Sequence, residues 1–253
     1  MRRRVGTPGM AGIGMVSALG PGSGGAAVFG GAALLNGLIH YWALEEPTGN
    51  NRTDSVGAWH LAETATPTRA AGRVNWACDY QIGDGDYLSG AYSRDWRGDW
   101  TTAGWIYPIS NPAVGNYYGV LNHGGAWGGG CGPRIRTAFN TTCPIAFYKG
   151  NDNQSALTHV PHNGLAAWTF VLFAHDSGAS TVYGYSWTGI WNFASIAYGW
   201  VPSATAPATL ELGGPQNLTW DGMLDEWGIW NRQLTTTERD ELFNGGAGIT
   251  WPF

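Results

Sequence analysis

The chain is predicted to fold as an all-β sandwich of antiparallel strands with one short helix near its end. From Gly37 onward it is a succession of apolar and aromatic runs, each bounded by Gly, Pro, Asn or Asp. Its composition suits short strands and tight turns, with 40 Gly, 15 Trp and 11 Tyr but only 12% charged residues. No helical periodicity of useful length precedes residue 234. A length of 253 residues allows one large β domain or two small ones.

The elements follow in order. "GLIHYWAL" (37–44) is the first strand, and "EEPTGNNRTDSVG" is a turn cluster. "RVNWACDY" comes next; "GDGDY" then turns the chain into "DYLSG". "DWTTAGWIYP", "NYYGVLNH", "PRIRTAF" and "PIAFYKG" continue the pattern. In "AAWTFVLFAHD" Trp168, Phe170 and Leu172 share one face while Val171 and Phe173 take the other, so this strand is expected to be covered on both sides. "TVYGYSW", "WNFASIAYG", "ATLELGG" and "WDGMLDEWGIW" complete the strands. In "LTTTERDELFNGG", Thr235 three residues before Glu238 forms a capping box, Leu242 and Phe243 anchor the buried side, and Gly245 supplies the stop.

The first 37 residues hold eleven glycines and no acid. Their basic start and apolar middle have the outline of a signal peptide, but Gly and Pro interrupt the middle repeatedly. A flexible Gly/Ala linker is one reading. The favoured one is an assembly arm (1–36), which cannot build a core of its own and so packs on neighbouring subunits. Arg2, Arg3 and Arg4 at its tip could meet acidic neighbours or nucleic acid, or remain solvated. The net charge of −5 gives no general attraction to nucleic acid, and no apolar run is long enough to span a membrane. Three cysteines cannot all pair within one chain; Cys131 and Cys143 could bridge a hairpin, leaving Cys78 as a buried free thiol.

Taken together, "LIHYWALEEPTGNNRTDSVGAWHL", "DYLSG", "WTTAGWIYP", "AAWTFVLFAHD", "LELGG" and "LDEWGIWNRQLTTTERDELFNGG" resemble the laminin-G-like branch of the concanavalin A-like lectin/glucanase superfamily. The resemblance covers residues 37–253 and implies a jelly roll of two antiparallel sheets. The ending "LFNGGAGITWPF" is similar to copies of this domain in bacteriophage and bacterial surface proteins. It implies a non-enzymatic structural subunit on a virion surface, a decoration or fibre-like protein. Its partners would be other virion subunits, further copies of itself and host-surface glycans. The alternative is a secreted or surface-displayed carbohydrate-binding module. The fold hosts many functions, so function has to come from a site.

Hydrolysis of a glycoside needs two carboxylates facing one another, and the superfamily's glucanases carry alternating acids on one strand. Asp225 and Glu226 are consecutive, which on a regular strand sends them to opposite faces, and Glu211 is alone in its strand. Glu226 is therefore expected at the surface or as a cross-strand partner of an arginine. Related jelly rolls often hold a structural calcium, and the matching ligands here are Asp54 and Asp225, with Glu46 as a weaker third. The bland reading is an Asx-turn at Asp54 and a backbone bond at Asp225. The six histidines show no zinc spacing, Ser195 has no nucleophile-elbow context, and the "HGGAWGGGCG" glycines lack the lysine of a phosphate loop. Finally, Trp127, Trp187, Trp191 and Trp200 are candidates for stacking on sugar rings. Against that, fifteen tryptophans must pack somewhere in a β core.

Overall fold

A computed structural model describes residues 31–123, 132–138, 145–151, 154–202, 209–214 and 219–253. The arginines at the arm's tip, Trp127, Cys131 and Cys143 lie outside the described residues. The chain opens with a single helical turn, α1 (Ala32–Leu35), and strand β1 (Leu38–Trp42). Then come β2 (Ala62–Thr64), β3 (Thr68–Ala71), β4 (Trp76–Tyr80), β5 (Tyr87–Ala91), β6 (Trp100–Pro108), β7 (Tyr117–His123) and β8 (Arg134–Ala138). They are followed by β9 (Ile145–Asn151), β10 (Gln154–Val160), β11 (Thr169–Asp176), β12 (Thr181–Trp187), β13 (Trp191–Ala197), β14 (Thr209–Leu212) and β15 (Gly222–Trp230). Helix α2 (Thr236–Phe243) precedes the C-terminal segment.

The strands form two antiparallel sheets, as a jelly-roll sandwich requires. One has eight strands in the order β13-β12-β11-β6-β15-β4-β3, with β1 also paired to β15; the other has seven, in the order β10-β9-β8-β7-β14-β5-β2. β2 and β3 fall in "HLAETATPTRAAG", a stretch of weak strand propensity that pattern alone does not mark. They exist because β5 and β4 supply partners.

The main core lies between the sheets and includes Trp42, Trp100, Trp220, Trp227, Val171, Phe173, Leu210 and Leu212. A second cluster lies on the outer face of the eight-stranded sheet, where Trp105, Phe170, Leu172 and Trp230 are capped by Leu242 and Phe243 of α2. β11 feeds both, as its alternation predicts. Gly104 of β6 leaves room for the Trp227 ring, which a Cβ at that position would strike.

Helix α2 carries the predicted capping box. Thr235 Oγ1 accepts from the Glu238 amide at 3.3 Å, and Glu238 Oε2 accepts from the Thr235 amide at 2.8 Å. Asn244 (φ 46°) and Gly245 (φ 60°), both left-handed, end the helix together. Residues 31–36 dock on this end of the domain. Leu34 is fully buried, Trp230 Nε1 donates to its carbonyl at 2.7 Å, and Arg232 donates to the Ala33 and Asn36 carbonyls.

One expectation is overturned in β15. The register against β6 shifts between Asp225 and Gly228, and Glu226 sits at φ 50°. This β-bulge adds a residue to the strand and breaks the two-residue alternation. Leu224, Trp227 and Ile229 still enter the main core, so Asp225 and Glu226 together occupy the opposite face. Both are buried, so Glu226 is not at the surface; its cross-strand partner is Tyr41 of β1 and not an arginine.

Candidate functional site

The two outer faces of the sandwich differ in chemistry. On the seven-stranded sheet, Leu88, Leu121, Ile135, Leu210 and Leu212 point into the core. The alternate positions carry polar groups that cross-strand pairing sets side by side. Glu211 pairs with Ser89 on one side and Asn122 on the other, and Asn122 pairs with Arg134. Asn122 Nδ2 donates to Glu211 Oε2 at 2.6 Å. Two positions along β8, Arg136 lays its guanidinium 3.7 Å over the Tyr117 ring. His159, opposite Ala146 in β9, extends the row to the edge strand and is exposed.

Electrostatics follows from this packing. Burial pushes the Glu211 carboxyl up, while the bond from Asn122 and the charge of Arg134 pull it down; burial wins. Burial, assisted by Arg136, pushes the His159 imidazole down. A carboxyl, an amide and guanidinium groups thus lie in one row; Asn122, Arg134 and Arg136 are buried, and Glu211 is half-buried. A tyrosine ring lies alongside. The alternation was legible in "TLEL", "VLNH" and "RIRT"; the neighbourhood was not, because these strands lie far apart in sequence.

The tryptophans chosen from sequence have other surroundings. Trp187 and Trp191 are paired across β12 and β13, with ring centroids 5.4 Å apart. Both pack on Phe243, at 4.7 and 5.1 Å, and Arg239 lies 4.0 Å over Trp191. Trp200 is elsewhere, stacked on Tyr198 at 4.4 Å.

Asp54 is fully buried in its turn. Its Oδ1 accepts from the amides of Tyr41, Val56 and Gly57, and its Oδ2 from that of Trp59. His40 Nδ1 lies 2.6 Å from Oδ2. Burial raises this carboxyl, but the bond to His40 and the backbone amides prevail and hold its pKa at about 2. Glu46 Oε1 accepts from the Thr53 amide at 2.7 Å. Asp225 Oδ2 accepts from the Val74 amide at 2.9 Å. Among the described residues no group of three or more His, Cys, Asp or Glu side chains is arranged to hold a metal.

Three of the scattered histidines converge. His40, His123 and His175 belong to a run of rings with Tyr92, Trp96, Trp100 and Tyr198, in which successive centroids lie within about 6 Å. His123 accepts from Trp96 Nε1, faces the Tyr92 carbonyl at 2.9 Å, and is driven by burial to a pKa of about 4. These imidazoles are packing groups with polar partners.

The bulge acids form a closed site. Burial lifts Asp225 to about 8 and Glu226 to about 9, so both hold protons at neutral pH. Tyr41 donates to Glu226 Oε2. The cavity beside Glu226, lined by Tyr41, Trp105, Phe170, Trp230, Leu242 and Ile249, has about 10 Å³, room for one water at most. No sugar reaches this pair.

No protein-family model and no curated protein matches the chain. Solved structures do match in fold. The botulinum neurotoxin serotype D binding domain superposes with a TM-score of 0.60 at 14% identity, over 83% of this chain and 52% of that one. The binding domain of botulinum neurotoxin DC in complex with SialylT gives 0.60 at 13% identity, over 83% and 51%. Domain 4 of AbnA, a GH43 extracellular arabinanase from Geobacillus stearothermophilus, in complex with arabinotriose, gives 0.58 at 16% identity, over 81% and 97%. The chain therefore spans about half of the toxin structures and nearly all of the arabinanase domain.

Proposed function

We propose that the chain is a non-catalytic carbohydrate-binding module whose site is the outer face of the seven-stranded sheet. The observation that carries this is the Glu211–Asn122 pair at 2.6 Å, set beside Arg134, Arg136 and Tyr117 on an otherwise apolar scaffold. Sugar hydroxyls are donors and acceptors at once, and they need matched groups at fixed spacing; an aromatic edge adds contact with C–H faces. Two matching folds in complex with arabinotriose and SialylT support the reading. The test is a glycan array followed by calorimetry on each hit. Binding that weakens in Glu211→Gln supports it; an array without hits at high protein concentration overturns it.

The setting we propose is a surface subunit of a bacteriophage particle, with the part of its 1–36 arm that precedes the docked residues 31–36 joined to neighbouring subunits. It rests on the likeness of the closing segment to phage proteins. The alternative setting is a secreted or cell-surface module. No helix among the described residues is long and apolar enough to cross a membrane. Electron microscopy of the native particle with an antibody to this chain separates the two. Calcium bound by Asp54, Asp225 and Glu46 is a separate proposal. A fall in Tm on chelation carries it, and an unchanged Tm removes it.

A further inference from the structure

The edges of the two sheets are protected unequally. β2 and β3 end their sheets with three and four residues and carry Glu63 and Arg69. Short length and charge are how sheet edges avoid pairing with other chains. β13 is different. It ends the eight-stranded sheet with seven residues, "WNFASIA", bonded to β12 on one side and to no described strand on the other. It holds no charge and no proline. The surrounding sequence from Ser177 to Leu210 contains no Asp, Glu, Lys, Arg or His. Three large apolar side chains here are exposed, Ile190 at 67%, Phe193 at 58% and Ile196 at 37%.

We infer that β13 pairs with β13 of a second copy, extending the eight-stranded sheet across a two-fold axis. Its outer amides and carbonyls, paired to no described strand, call for a strand as occupant. The side chains call for this strand. Antiparallel pairing about Ala194, the middle residue, uses all seven positions. It sets Phe193 opposite Ser195, Ile196 opposite Asn192 and Trp191 opposite Ala197, large against small throughout and with no charge to desolvate. An axis perpendicular to the sheet also turns both seven-stranded faces the same way. Resting on the carbohydrate reading, the pair would then present two glycan sites to one surface and gain avidity.

The experiment is sedimentation velocity on the full chain without glycan, so that its outcome is independent of the carbohydrate reading. The wild type is expected at twice the chain mass, dissociating on dilution. Phe193→Lys with Ile196→Lys is expected to be monomeric with unchanged circular dichroism; some loss of Tm follows from the contacts of Phe193 with Tyr183 and Tyr185 and does not bear on the mass. Ala194→Cys places two thiols at the axis and is expected to give a disulfide-linked dimer on mild oxidation. A wild-type monomer at every concentration overturns the proposal. So does a double-lysine variant of unchanged mass, which would move self-association to another surface.

Discussion

The two outer faces of this sandwich rest on the same kind of sheet and carry opposite chemistry. The eight-stranded face is sealed: Trp105, Phe170 and Trp230 lie under α2 and the C-terminal segment, and even its two acids are buried and protonated. The seven-stranded face instead carries polar groups, Asn122 of β7, Arg134 and Arg136 of β8 and Glu211 of β14. An apolar outer face needs a cover, and the helix and tail supply it. The polar row is packed too: Asn122, Arg134 and Arg136 are buried and Glu211 is half-buried, so its groups are held by one another as much as by water.

Substitutions should divide along the same line. Phe243→Ala removes the ring that touches Trp105, Phe170, Trp187 and Trp191. It is expected to cost about 3–5 kcal/mol in urea unfolding, with glycan affinity of the folded fraction unchanged. A cost below about 1 kcal/mol, the size of an ordinary surface change, would show that the sealed face is not structural.

The bulge acids give that face a pH signature. Asp225 and Glu226 hold their protons in the folded state up to about 8 and 9 but lose them near pH 4 when unfolded. Their contribution is complete below pH 4 and is lost progressively as pH rises towards 9. Glu226→Gln is expected to flatten the alkaline limb of the Tm–pH curve. An unchanged limb would remove the buried-acid account. Asp54 and Glu238 act in the other direction. Both are held at about 2, so their contribution is present above pH 4 and is lost as pH falls towards 2.

On the polar face the sizes reverse. Glu211→Gln keeps the shape of the side chain but weakens its bond to Asn122 and to a sugar hydroxyl. Glycan affinity should fall about tenfold by calorimetry, with Tm nearly unchanged because burial already disfavours the charge. Loss of stability without loss of binding would reverse the roles of the two faces. The smallest effect is expected at Thr235→Ala, which unmakes the capping box of α2 and should cost about 1 kcal/mol. That change should leave binding untouched.

Much of this was legible in the residues alone. Alternation in "AAWTFVLFAHD" marks a strand covered twice, and β11 does feed both clusters, because the period of two is a local property of extended backbone. Thr235 and Glu238 announce α2, since a capping box closes within four residues. The same local rule failed at Asp225 and Glu226. A bulge is set by pairing with β6, and no residue in "LDEWG" declares it. Single tryptophans could not be sorted into core and surface, for Trp187 and Trp191 acquire their partner Phe243 only when α2 folds back. The polar row could not be read either: Glu211 looks isolated in its strand and meets Asn122 only across β14 and β7. What the chain specifies by itself is whatever neighbouring residues decide, the strands, the turns and the cap. Which side chains share a surface was decided by register and strand order, which bring together residues almost ninety positions apart.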